Sequence, residues 1–344
     1  MRPFCQHVAG LGFRLKKALR VTDFLTVRPV RFAVCVGLAA GVALLVHPGD
    51  TGDLQYFLHA SRRLFTSDWA NVFADPSVQV GPLQLLVFRL GDLAGVLALL
   101  VQVGAAALLW VAAGRLLNER DPRAQLAVGI AAVALGLTYG AYQDGHPAQF
   151  VVPLLWVLAG LDAREGRTVR AGLLIGLSAG FEVWGLLGAV VFVLAPHVRA
   201  AAVGALTEAA VVSGLFLPFL IAGEFRMFDY RWQVNGDTVL GLFVAPGTPF
   251  TWSMRLAQGI AALGVGALLA WPLRRTLHAV WLAPLGVVAM RLLLDPVRYP
   301  WYWLALQVLA LLGMAEFLTS GRVERVTRGV TNYSSWGSRG SAIR

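Results

Sequence analysis

Charge is scarce in this 344-residue chain: 14% of its residues are Asp, Glu, Lys or Arg, against about 25% in a soluble globular domain. A water-soluble fold of this length needs a polar shell over its core, and 29 basic and 19 acidic residues gathered in clusters do not supply one. A soluble enzyme is excluded. Cysteine is nearly absent as well: Cys5 lies in a basic stretch and Cys35 in an apolar run, so neither a disulfide framework nor a thiolate metal site is available. There is no glycine-rich phosphate loop ahead of a helix, no His-Glu-x-x-His and no internal repeat. Nucleotide hydrolysis is therefore not expected, and no cofactor is read from the sequence.

What the chain has is apolar surface: 57% hydrophobic residues and a mean hydropathy of +0.66. The formal charge is +10, but the basic residues flank apolar segments and form no stripe of their own, which suits anionic lipid and not nucleic acid. A hydrocarbon core about 30 Å thick takes about 20 helical residues, and helices satisfy their own backbone where lipid cannot. About ten spans follow, at 32–46, 93–117, 125–139, 148–161, 171–181, 184–195, 201–222, 256–273, 279–294 and 301–318. Several are shorter than a crossing and must borrow polar ends, thin the bilayer or break at Gly and Pro.

Counting Lys and Arg with the N-terminus inside places 21 of 29 on the inner side, the asymmetry of the positive-inside rule. The expected organisation is a basic cytoplasmic segment 1–31, a transmembrane domain 32–318 and a basic, disordered cytoplasmic tail 319–344, with outer loops at about 47–90 and 223–255. Both termini are expected in the cytoplasm and the chemistry on the extracytoplasmic face of the cell membrane.

The first outer loop opens His47-Pro48-Gly49-Asp50-Thr51-Gly52-Asp53-Leu54-Gln55-Tyr56, with two carboxylates three residues apart just past a span. A low-dielectric boundary raises a carboxylate pKa and a neighbouring Arg lowers it, so this is a suitable setting for a base. The same aspartates also serve as turn and helix-cap groups. Residues 54–65 have helical apolar spacing beside Arg62 and Arg63, the pattern of an amphipathic helix lying on the membrane interface. Glu182 stands at membrane depth between two apolar runs, where a carboxylate needs a partner; Arg298, Arg226 or a substrate amine are the candidates. Arg291, also inside a span, has Asp295 four residues on. The second outer loop interleaves Arg226, Asp229, Tyr230, Arg231 and Trp232, which fits a headgroup belt or a glycan-stacking surface.

Gly52-Asp53-Leu54-Gln55-Tyr56, Trp69 to Pro76 and Val80-Gly81-Pro82-Leu83 through Phe88, followed by Arg164-Glu165-Gly166-Arg167 and Ala171 to Leu177, occur in an order that resembles glycosyltransferase family 87. These are the polyprenol-phosphate-mannose-dependent mannosyltransferases of the GT-C superfamily. The likeness covers roughly the first 200 residues. Gly145-His146-Pro147 departs from the family's Gly-Gln, and Phe181-Glu182 departs from its Lys, reversing a charge.

The resemblance implies an all-α, polytopic GT-C-type bundle whose large first outer loop carries interfacial helices. It implies inverting transfer of a sugar, mannose by likeness, from a polyprenyl-phosphate donor to a lipid or glycan hydroxyl, metal-independent or weakly metal-dependent. By that analogy Asp53 is the base and Asp50 its understudy. Direct displacement needs cations on the departing phosphate but no strong acid. Arg62, Arg63, Arg226, Arg231 and Arg298 compete for that phosphate, with Tyr56, His146 and Glu182 as further substrate contacts. The expected partners are the donor, a glycan or glycolipid acceptor and membrane lipid. A transporter or flippase of a lipid-linked sugar is the alternative, distinguished by ionisable or broken-helix sites at the bilayer midplane.

Overall fold

The computed structural model describes residues 28–46, 52–117 and 121–337, with side chains described as far as residue 320. Among these residues the chain is all-helical; the only β pairings are the isolated bridges Val80 to Glu182 and Gln233 to Pro249. Twelve α-helices follow in order: α1 (Arg28–Leu45), α2 (Gly52–Ser61), α3 (Pro82–Leu93), α4 (Leu97–Leu116), α5 (Pro122–Ala134), α6 (Leu137–Gln143), α7 (Ala148–Arg164), α8 (Thr168–Phe181), α9 (Val198–Ala222), α10 (Trp252–Ala270), α11 (His278–Leu293) and α12 (Trp303–Gly337). Each of the ten apolar segments expected from the sequence coincides with a helical element. Five helices are long and apolar enough to cross a membrane: α1, α4, α9, α10 extended through Leu273, and α12 begun at Pro300. Helices α5 and α6, bent by 44° at Gly136, make a sixth if taken as one span. The shorter apolar elements are α8, α11 and the segment Val183–Leu194, which is wound as a 3₁₀-helix. This is the architecture of a helical membrane protein.

Helix α7 is the axis of the bundle. Fifteen of its seventeen residues are buried, which a helix apolar all round requires, and α4, α8, α11, α12 and Val183–Leu194 pack around it. The 3₁₀ segment returns the chain between α8 and α9, so those two helices run parallel. They meet along a glycine row: a Cβ on Gly172 would fall 2.2 Å from the Gly204 carbonyl and one on Gly176 2.6 Å from Val211 Cβ. Small residues at four-residue spacing give backbone approach of the kind that holds helices together in lipid.

The bundle has two chemically different ends. At one, the fully buried Asp162 carboxylate of α7 takes Arg115 from α4 at 2.9 Å and Arg167, just ahead of α8, at 2.8 Å, with Arg170 of α8 at 3.6 Å, and Arg164 donates to the Arg275 carbonyl at 2.7 Å. The other end carries α2, the loop into α7, the junction of α8 with the 3₁₀ segment and the loop 223–251.

Three expectations change in detail. Helix α2, expected to lie on the membrane interface, instead buries Leu54, Phe57 and Leu58 in the protein core. The stretch 82–93, placed within the first outer loop, is a helix started by Pro82 at its first position. The backbone helix that begins at Trp303 continues past residue 318 to Gly337, into the part assigned to the tail.

Candidate functional site

A cavity of about 1070 Å³ opens at the end opposite the Asp162 cluster. It begins with a turn. Gly145 has φ +76°, and a Cβ there would meet the Leu54 backbone at 2.7 Å; α2 therefore rests directly on this glycine, whose carbonyl accepts from the buried Gln84 amide at 2.9 Å. That contact places Asp53, in the first turn of α2, beside His146. A helix N-terminus is a favourable place for a carboxylate. On the far side, the backbone N–H of Gly81 donates to the Phe181 carbonyl at 2.7 Å, and the Val80 bridge fixes extended backbone at Glu182.

The product is a chain of acids and base. His146 Nε2 stands 3.1 Å from Asp53 Oδ2, and its Nδ1 3.4 Å from Glu182 Oε1. Gln149 donates to Glu182 Oε2 at 3.0 Å, and the Trp184 indole N–H donates to the same oxygen. The imidazole, 12% exposed, stacks on Trp301 with centroids 4.9 Å apart and takes the Phe57 ring edge-on. Burial alone lowers its pKa, but its hydrogen bonds to Asp53 and Glu182, together with their charges, outweigh burial and raise it above the ordinary value. With both nitrogens facing carboxylates, the charged ring donates to each. Asp53 is about half exposed, at 49%, and lines the cavity. Burial also raises Asp144, on the same wall, against the lowering influence of His146.

A second polar group lies across Trp184. The face of that ring carries the Arg291 guanidinium at 4.6 Å, and Tyr302 lies 5.1 Å from the same cation. Arg291 reaches Asp295 at 3.8 Å, the pairing expected from their spacing. Arg255, at the start of α10, also lines the cavity and donates to the Tyr230 carbonyl at 3.3 Å. Burial pushes Asp295 up, against the lowering effects of Arg291, the Val297 N–H and Arg255. An apolar stretch of the lining runs along α10 and the 3₁₀ segment through Leu187, Leu256, Ile260 and Leu263.

The expected site residues divide accordingly. Asp53, Tyr56, His146 and Glu182 all line the cavity. Asp50 lies outside the described residues. Tyr56 donates to Asp75 at 2.8 Å; burial raises the phenol, while the Ser77 N–H and Tyr56 lower Asp75. Glu182 takes none of the expected arginines: its partners are His146, Gln149 and Trp184. Arg62 is engaged with Asp92 at 3.1 Å, Arg63 with the Asn71 carbonyl at 3.3 Å, and Arg226 with Asp229 at 3.0 Å. Arg231 is exposed, as is Arg298, which lies over the Trp303 ring. None of these five arginines lines the cavity.

Sequence reasoning missed Arg255, Asp144 and Gln149. Gln149 carried a usable signal, a polar side chain inside an apolar run; Arg255 sat at a span boundary and read as a flank. Trp301 offers little face to a sugar, because its ring is stacked with both His146, at 4.9 Å, and Tyr299, at 4.5 Å. No group of three or more His, Cys, Asp or Glu side chains is placed to hold a metal ion among the described residues. No protein-family model, curated protein or solved structure matches this chain.

Proposed function

We propose that this protein is a membrane glycosyltransferase of GT-C type. In this reading it moves a sugar, mannose by the family resemblance, from a polyprenyl-phosphate donor to a hydroxyl of a lipid or glycan acceptor on the extracytoplasmic face. The observation that carries the reading is Asp53: a half-exposed carboxylate lining a large cavity, with one oxygen held by His146.

Asp53 takes the proton of the acceptor hydroxyl as its oxygen attacks the anomeric carbon. The bond from that carbon to the phosphate oxygen breaks, and lipid phosphate leaves with the electron pair. One displacement inverts the anomeric centre. Through its hydrogen bond His146 fixes Asp53 Oδ2, and Glu182, fixed in turn by Gln149 and Trp184, orients His146. A mostly apolar cavity with a cluster of charged groups suits a substrate that joins a sugar phosphate to a hydrocarbon chain.

The test is reconstitution of the purified chain in liposomes with radiolabelled polyprenyl-phosphate mannose and candidate lipid acceptors. Wild type is expected to form labelled product and Asp53→Asn to lose about 100-fold or more of the rate, the usual weight of a general base. Product formation unaffected by Asp53→Asn would sink the reading. Movement of intact donor across the bilayer without product would replace it with transport.

A further inference from the structure

The cavity contains two cations that the proton-accepting group does not use, and both have hydrogen-bonding capacity to spare. Arg291 Nη1 is buried with no hydrogen-bond partner, and so is the indole Nε1 of Trp301. Arg291 is pressed between the Trp184 and Tyr302 rings, which strip water from the faces of the guanidinium and leave its edge as the place to bind. Arg255 spends one bond on the Tyr230 carbonyl. The two arginines share Asp295 as a near carboxylate, and Glu182, bound to the Trp184 indole N–H, is close enough to act on Asp295, so what this corner has to spare is hydrogen-bond donors. Buried donors without acceptors cost free energy until a ligand supplies the oxygen. Gln258 of α10 donates to the Arg291 carbonyl at 3.0 Å, which ties the two arginine-bearing helices together.

From this corner the lining turns apolar. Leu256 and Ile260 both line the cavity and are largely exposed, at 66% and 62%, so this strip of α10 offers the cavity an uncovered apolar wall. Gly259 lies on that strip, and a Cβ there would meet Leu187 of the 3₁₀ segment at 3.6 Å. Here α10 packs on the apolar segment Val183–Leu194.

We propose that Arg255 and Arg291 bind the phosphate of a prenyl-phosphate lipid, and that its hydrocarbon chain lies along the apolar strip of α10 that runs through Leu256, Gly259 and Ile260. The assignment rests on the transferase reading for its biological meaning and on the cavity alone for its chemistry, so it is tested by binding and not by transfer. The full chain, in detergent, is titrated with farnesyl phosphate, farnesol and inorganic phosphate, with Trp fluorescence as the readout.

Farnesyl phosphate is expected to bind more tightly than either of the others. Arg291→Gln and Arg255→Gln are each expected to weaken it by at least about tenfold, the weight of one charged hydrogen bond, while Arg226→Gln leaves it unchanged. Gly259→Phe should weaken farnesyl phosphate and leave inorganic phosphate as it was. Farnesol binding as well as its phosphate, or both Gln variants binding normally, overturns the arginine assignment. Inorganic phosphate matching farnesyl phosphate, with Gly259→Phe silent, overturns the lipid as the source. If Arg291→Gln does not fold because Asp295 loses its partner, Arg255→Gln decides alone. Prenyl-phosphate binding without any sugar transfer would leave this assignment standing and remove the transferase, whereas transfer undiminished in both Gln variants would do the reverse.

Discussion

His146 concentrates the physical chemistry of the site in one ring. Its pKa is raised in the folded protein because two carboxylates share it, so the folded state binds its proton more tightly than the unfolded chain does. The resulting stabilisation is complete below the ordinary imidazole value of about 6.5 and is lost as pH rises through the raised value. Thermal unfolding in detergent should therefore show wild type ahead of His146→Gln at acid pH, with the gap closing as pH climbs past neutrality. A gap that widens with pH would contradict the pairing.

Single residues were readable to this extent. Asp53, His146 and Glu182 each stood out as titratable groups in apolar or turn-rich surroundings, but their union depends on Gly145 admitting α2, which no spacing reveals. Arg62 and Arg63 misled through proximity in sequence. Nine residues along a helix is about 14 Å, and at that remove Arg62 turns to Asp92 instead.

At the scale of elements, the apolar segments were legible because lipid imposes length and composition on them. Their joints were not. The bend at Gly136, the buried seat of α2 and the seam of α8 against α9 all depend on what the backbone can approach. One such joint fixes Glu182: a Cβ on Gly81 would fall 2.2 Å from the Gly180 carbonyl, and one element must move to admit it. Gly81→Ala is accordingly expected to cost about 1–3 kcal/mol of stability through overpacking and to reduce transfer as well, by shifting Glu182. Gly104→Ala, with nothing within 4 Å of its Cβ, is the control and should be tolerated. Equal melting curves and equal activity for both variants would show that the Gly81 contact is slack.

The molecule as a whole is polar in the electrical sense. Arg115, Arg164, Arg167, Arg170 and Arg275 gather around Asp162 at one end, and the cavity lies at the other. The positive-inside rule assigns the arginine end to the cytoplasm. Labelling intact cells with a membrane-impermeant maleimide checks this, in a background where Cys5 is replaced by Ser and Cys35 is buried. Ser253→Cys, exposed beside the cavity, should label; Arg199→Cys, exposed at the start of α9, should label only after the cells are opened. The reverse pattern would place Asp53 in the cytosol and end the proposed function.

The winding of Val183–Leu194 bears on where Glu182 stands. At about 2.0 Å of rise per residue a 3₁₀-helix of twelve residues reaches about 24 Å, where the same residues as an α-helix reach about 18 Å. Counting residues thus undermeasures this stretch by about 6 Å, and the carboxylate that sequence arithmetic sinks into hydrocarbon is lifted to the level of the imidazole it meets.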